Sequence, residues 1–353
     1  MEYRQLGHCG LCVSTLTLGT MTFGGTGALG TEGGDGLAAA RRLVDVALDA
    51  GVNLIDTADV YSRGRSEEFV GAALAGRRDR VLLATKGRFR MGDGPNDAGN
   101  SRHHLICACE ASLRRLRTDH IDLYQIHEWD GRTPLEETLE ALEALVRAGK
   151  VRYVGCSNFA GWQIMKALGI AERRALPRFV SHQVYLSLQE RSAEYEIVPS
   201  ALDQGLGLLI WSPLAGGLLS GKYRRNQPPP EGARHAGDWK EPPIHDEDAL
   251  YDVIETLVDI AAARGVPAVQ VALAWLIARP GVSSVIVGAR SEEQLAANLG
   301  AAALVLEPHE HARLEAVSRP RLIYPYWHQT MTAADRLGPA DLSLIAPFLD
   351  ERP

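Results

Sequence analysis

The sequence predicts a single α/β domain over residues 1–353, a (β/α)8 TIM barrel with an N-terminal hairpin and long loops on the face where the strands end. Three observations predict the barrel. Eight short apolar or β-branched runs recur along the chain, helical patterns separate them, and run after run ends in a polar group. Strands alternating with helices imply parallel neighbours. Eight such units fit a closed barrel better than a doubly wound sheet, which usually has fewer strands, and a chain of 353 residues is within the range of one such barrel.

The strand runs are residues 14–19, 53–57, 80–85, 121–126, 151–155, 179–185, 207–211 and 284–288. The helix signals lie between them. Residues 37–50 are amphipathic and stop at Gly51, a residue that enters the left-handed region without a side-chain clash. Residues 134–148 open at Thr133-Pro134, with the proline expected at the first helical position, carry Glu136 and Glu137 in the first turn and stop at Gly149. Residues 246–264 end in the same way at Gly265, and Ser291 with Gln294 reads as a capping box opening another helix. Two stretches stand apart as loops: glycine-rich residues 24–36, and residues 222–243 with Pro228, Pro229 and Pro230. The tail from Arg319, with Tyr324, Tyr326, Trp327 and His328, is expected either to fold over the barrel mouth, where residues 321–353 would join the substrate pocket, or to cover an outer helix.

Composition narrows the function classes. A net charge of −7 argues against a broad nucleic-acid or membrane footprint. No apolar run reaches the roughly 18 residues of a membrane helix, and Met1-Glu2-Tyr3-Arg4 has no apolar signal core, which points to the cytoplasm. Cys9 and Cys12 have zinc-like spacing, but no matching pair follows, so Cys9, Cys12, Cys107, Cys109 and Cys156 are expected to be reduced thiols and no metal is expected. Gly25, Gly27 and Gly30 spell a dinucleotide fingerprint. More glycines follow at Gly33, Gly34 and Gly36 and no helix starts at Gly30, so the motif reads as a mouth loop.

Four residues carry the chemistry: Asp56, Tyr61, Lys86 and His127. Reducing a carbonyl requires hydride on carbon and a proton on oxygen. A free tyrosine, with a pKa of about 10, is a poor donor, and a lysine ammonium beside it is expected to lower that value. The buried lysine needs a counter-charge, which Asp56 supplies, and a histidine beside the oxygen can polarise it. Taken singly, each residue has an ordinary structural reading; in barrel register they converge.

The segments that hold these residues resemble the aldo-keto reductases. Asn53-Leu-Ile-Asp-Thr-Ala-Asp-Val-Tyr61, Leu83-Ala-Thr-Lys86, Asp122-Leu-Tyr-Gln-Ile-His127 and Val154-Gly-Cys-Ser-Asn158 match the family's motifs in order. Trp211-Ser-Pro-Leu-Ala215 and Ser220-Gly-Lys-Tyr223 are similar to the bacterial branch that looks like the potassium-channel beta subunits. The resemblance spans Tyr3 to about Ala302 and implies a catalytic tetrad of Asp56, Tyr61, Lys86 and His127 acting on an NADPH-bound carbonyl. It implies that Gly19, Thr20 and Met21 line the nicotinamide end with Asp56. Ser157, Asn158 and Gln183 would hold the carboxamide and Trp211 would stack on the ring. Ser212, Pro213, Leu214, Gly216 and Lys222 would meet the pyrophosphate; Gly288, Arg290, Gln294 and Asn298 would receive the adenosine. Arg290, helped by Lys222 and Arg234, is suited to a 2′-phosphate. Ala297 departs from the family's usual glutamate, and Asn158 stands where the channel subunits have arginine. Phe23, Phe89, Trp129 and Trp239, with Tyr61 and His127, suggest an apolar pocket for a small-molecule carbonyl, worked on by a monomer or a homo-oligomer. Two rival readings are an NADPH-binding redox sensor of slow turnover and a Schiff-base aldolase using Lys86.

Overall fold

The computed structural model describes residues 1–25, 36–230, 233–236 and 241–349. The fingerprint glycines Gly27 and Gly30 and the pocket candidate Trp239 lie outside the described residues.

The chain opens with an antiparallel hairpin, β1 (Tyr3–Gln5) and β2 (Cys12–Ser14), in which Arg4 faces Val13. Eight strands then close a parallel barrel: β3 (Leu16–Gly19), β4 (Leu54–Asp56), β5 (Leu82–Gly87), β6 (Ile121–Ile126), β7 (Val151–Ser157), β8 (Ser181–Tyr185), β9 (Gly207–Trp211) and β10 (Val282–Val287), which returns to pair with β3. All eight expected runs are strands.

Alternation of side chains divides the core in two. Leu54, Ala84, Leu123, Leu209 and Ile286 point into the barrel and pack with Leu6 and Val13, so the hairpin stops the end opposite the strand C-termini. The other face of the strands packs on the helices through a larger cluster that includes Leu18, Ile55, Leu83, Tyr124 and Val154. Register brings the polar strand ends level. Gly19 lies beside Asp56, Lys86 beside Gln125, Ser157 beside Gln183 and Tyr185 beside Trp211.

The helices are α1 (Gly36–Asp49), α2 (Arg65–Ala73), α3 (Arg102–Leu116), α4 (Leu135–Arg147), α5 (Gly161–Arg174), α6 (Ala193–Gln204), α7 (Glu247–Arg264), α8 (Ala268–Ile277), α9 (Glu292–Leu299), α10 (Pro308–Ser318), α11 (Tyr326–Thr332) and α12 (Pro339–Leu349). Gly51, Gly149 and Gly265 follow their helices at φ of 85°, 74° and 65°, as expected. Two helix starts differ from expectation. Pro134, with ψ 128°, is the N-cap of α4 rather than its first helical residue. Ser291 caps α9 by accepting from Gln294 N, but Gln294 Oε1 accepts from Arg290 N at 3.0 Å, one residue before the cap, so the capping box is displaced rather than closed.

The tail covers α6. Tyr326 Oη lies 2.6 Å from both Tyr195 O and Glu196 Oε1, with one proton to donate between them, its ring stacks on Tyr195 at 5.8 Å, and Leu344 and Ile345 of α12 are buried in a helix that packs along α6. Of the two placements expected for the tail, this is the outer-helix one. All five cysteines are free, and among the described residues no single helix is long and apolar enough to cross a membrane.

Candidate active site

The four sequence-selected residues meet at the open end of the barrel. Asp56 is the last residue of β4, and Tyr61 begins a short 3-10 turn five residues on. That turn passes through left-handed conformations at Ser62, Arg63 and Gly64, which reverse the chain into α2 and leave Tyr61 over the mouth. Gly64 is required there. Its φ is 91°, and a Cβ would lie 2.7 Å from Arg115 Cδ. Lys86 and His127 come from the ends of β5 and β6, joined where His127 N donates to Gly87 O.

Lys86 is fully buried and places its ammonium on three acceptors: Asp56 Oδ2 at 2.6 Å, Thr57 O at 2.8 Å and Tyr61 Oη at 3.4 Å. The other Asp56 oxygen accepts from Gln183 Nε2 at 2.8 Å and from Gln125 Nε2 at 3.3 Å. Both partners of this buried ion pair are thus hydrogen-bonded, which is the condition for burying charge without a large penalty. Burial alone would drive the lysine pKa down, yet Asp56 and Tyr61 hold it above the ordinary value. An ammonium held in this way is a poor nucleophile, which weighs against a Schiff base at Lys86.

The effect on Tyr61 corrects an expectation. Burial raises the phenol above its usual value, and Lys86 offsets only part of that rise. The ammonium does stabilise the phenolate, but desolvation is the larger effect. His127 meets the Tyr61 ring edge-on at 5.8 Å. Burial, then the charges of Lys86 and Arg88, hold it well below the ordinary histidine value, so it is neutral near pH 7. A neutral imidazole can donate a hydrogen bond to an oxygen without delivering a full charge.

The remaining candidates form a rim around these four. Thr20 donates to Asp56 O and Thr22 to Ala289 O, tying the ends of β3, β4 and β10 together with Met21 between them. Ser157 Oγ donates to Gln183 O. Asn158, at φ 57°, donates from Nδ2 to His127 O at 3.1 Å and accepts at Oδ1 from Trp211 Nε1 at 3.0 Å. These polar atoms therefore bond to one another across the ends of β6, β7, β8 and β9. Trp211 leans on Tyr185 at 5.0 Å. Beyond it, Ser212 Oγ accepts from Gly216 N in a turn that contains Pro213 and Leu214. Asn298 is buried and donates to Gly288 O.

Lys222, Arg234 and Arg290 lie close enough to act on one another. Burial, then Arg290 and Arg234, push Lys222 below its ordinary value, and burial with Arg290 does the same to Arg234. Three mutually repelling cations beside the glycine turns suit a multiply charged anion.

Of the pocket candidates, Phe89 stands edge-on to His127 at 4.7 Å, and half-buried Trp129 packs against Phe159 and Trp162. Phe23 closes a turn through its N–H onto Thr20 O, and its ring is fully buried in the core cluster. Sequence reasoning passed over three residues: Gln125, which braces Asp56; Asp59, a fully buried acid inside the Asp56–Tyr61 turn; and Arg88, two residues beyond Lys86. Alternation along β6 could have found Gln125, since it precedes His127 by two and shares its face.

A model of the aldo/keto reductase family matches residues 15–319. An uncharacterized oxidoreductase of Bacillus subtilis (strain 168), YrpG, is 42% identical over 318 residues, covering 87% of this chain and 93% of its own. A probable voltage-gated potassium channel subunit beta of Oryza sativa subsp. japonica is 37% identical, over 92% of this chain and all of its own. Versiconal hemiacetal acetate reductase of Aspergillus parasiticus is 34% identical, over 92% of this chain and 99% of its own.

Proposed function

The chain belongs to the aldo/keto reductase family, and from that premise we propose that it is an NADPH-dependent oxidoreductase that reduces an aldehyde or ketone to an alcohol, with Tyr61 as the proton donor. The observation that carries this reading is the Lys86 ammonium, which is shared among Asp56 Oδ2, Thr57 O and Tyr61 Oη at the mouth of the barrel.

Each residue then has a task. His127 and the Tyr61 hydroxyl receive the carbonyl oxygen and polarise it. As negative charge grows on that oxygen, Tyr61 gives up its proton and Lys86 stabilises the phenolate left behind. Asp56 keeps Lys86 charged and fixed. The hydride is what bound NADPH would supply. Lys222, Arg234 and Arg290 are the residues suited to its phosphates, with Arg290 read as the one that selects the 2′-phosphate. Gly19, Thr20, Met21, Ser157, Asn158, Gln183 and Trp211 would hold the nicotinamide end, and Gly288, Gln294 and Asn298 the adenosine. The reductase among the relatives, and the intact four-residue set, favour an enzyme over a sensor that only binds the cofactor.

The test is NADPH oxidation against a panel of aldehydes, quinones, ketosteroids and keto-sugars, with Tyr61→Phe beside the native protein. Tyr61→Phe is expected to lower kcat by about a hundredfold or more while NADPH affinity, read by quenching of tryptophan fluorescence, stays within about twofold. Turnover retained within tenfold would remove Tyr61 from the donor role. Tight NADPH binding with no reduction across the panel would favour the sensor.

A further inference from the structure

Arg88 has no carboxylate partner among the described residues. Four other arginines drawn inward do have one: Arg78 pairs with Asp122, Arg115 with Glu67, and both Arg191 and Arg279 with Glu194. Arg88 has one protein hydrogen bond through its side chain, from Nη2 to Trp129 O at 3.3 Å. Its Nε is buried without a partner. Glu128 senses the charge of Arg88, but its Oε1 accepts from Trp129 N and makes no ion pair with it. A half-buried guanidinium left in this state is costly unless something else completes it.

Its position indicates what that is. Leu82, Ala84 and Lys86 alternate along one face of β5, and Arg88 follows them at the mouth. The guanidinium lies over the Phe89 ring at 5.1 Å, and that ring meets His127 at 4.7 Å. Arg88 thus sits one aromatic ring away from the histidine that polarises the carbonyl. Its backbone φ is 155°, a region nearly confined to glycine, and it is pinned there by Gly99 N donating to Arg88 O at 2.8 Å.

We infer that Arg88 anchors a carboxylate on the substrate, so that the carbonyl compound reduced here is an oxo acid whose charge lies across the Phe89 ring from the reacting group. Planar guanidinium and planar carboxylate match in geometry, and a carboxylate satisfies in one contact what Trp129 O leaves unmet. A neutral analogue would leave the same cation unpaired, which is how polar sites reject near-isosteres. The inference rests on the carbonyl-reductase reading, and its test separates the two.

Two aldehydes of matched shape, 4-formylbenzoate and methyl 4-formylbenzoate, are compared in NADPH oxidation by the native protein and by Arg88→Gln and Arg88→Lys. Binding of benzene-1,4-dicarboxylate to the full chain in the presence of NADP is measured by calorimetry. The native protein is expected to favour the carboxylate by about tenfold or more in kcat/KM. Arg88→Gln loses that preference and the calorimetric signal while still reducing the neutral ester, which also reports that it is folded. Arg88→Lys keeps part of both. Equal use of the two aldehydes by the native protein, or dicarboxylate binding unchanged in Arg88→Gln, overturns the assignment of Arg88. Dicarboxylate binding that depends on Arg88, with neither aldehyde reduced, upholds the anion site and overturns the reductase reading.

Discussion

Asp59 carries a carboxyl group into the interior with neither oxygen hydrogen-bonded. Glu67 from α2, Arg115 from α3, Lys86 from β5 and the buried Tyr124 hydroxyl from β6 face it, and its N–H donates to Lys86 O. Burial, reinforced by Glu67, raises its pKa from 3.8 to about 7. The folded protein therefore binds a proton that the unfolded chain has released, and stability falls as pH rises from about 4 to about 7, then levels off. Asp59→Asn removes that slope. The stability gap between Asp59→Asn and the native protein, measured by denaturant unfolding at pH 5 and pH 8, is expected to shift in the variant's favour at the higher pH, by about 2–3 kcal/mol. A gap that does not change with pH would show that Asp59 does not titrate in this range. The same residue marks the limit of what sequence discloses. Asp56, Tyr61, Lys86 and His127 could be read directly, because three of them stand at strand ends, Tyr61 follows one by five residues in a motif, and the chemistry has a use for each. Asp59 and Arg88 differ from ordinary acids and arginines only in lacking partners, and partners come from other strands and helices. The net pKa of Tyr61 was misjudged for a related reason: burial is a property of the assembled mouth, and it outweighs the one neighbour that motif spacing had identified.

At the scale of elements, β10 and α9 make the clearest case. The strand ends at Val287, Gly288 follows, and Arg290 stands just before the Ser291 cap, beside the α9 N-terminus, where backbone N–H groups favour anions. Gln294 Oε1 holds Arg290 N, so this turn is braced from within its own helix. Arg290→Ala is expected to weaken NADPH binding by about tenfold to a hundredfold and NADH binding by less than about threefold, read by fluorescence titration of each. Equal losses would show that Arg290 does not read the 2′-phosphate. Helix ends were largely legible, because glycine at φ near 60–90° acts locally; Asp246, expected as the first residue of α7, is instead its cap and accepts from Ala249 N. Pro134 and Gln294 were placed one residue off because the cap depends on ψ and on which N–H a glutamine reaches, and neither is fixed by residue type.

For the whole molecule, the eight strands were legible since each is a buried run ended by turn residues, and the barrel follows from their number. The tail was not, because its aromatic residues would suit the mouth and an outer helix equally well. Tyr195, Glu196 and the buried Leu344 and Ile345 decide for α6. Truncation after Arg319 is therefore expected to cost stability, about 3–6 kcal/mol from those two side chains alone, while kcat/KM stays within about twofold. A selective loss of kcat/KM with unchanged unfolding would instead place the tail in the pocket. A last consequence comes from the Asn158 amide, which reaches from the end of β6 to the indole of β9. That one side chain ties three strand ends of the doorway into a single frame of hydrogen bonds. Capture of a guest there requires little ordering of the chain, and the heat-capacity change of binding should follow the surface covered, without an added component from folding.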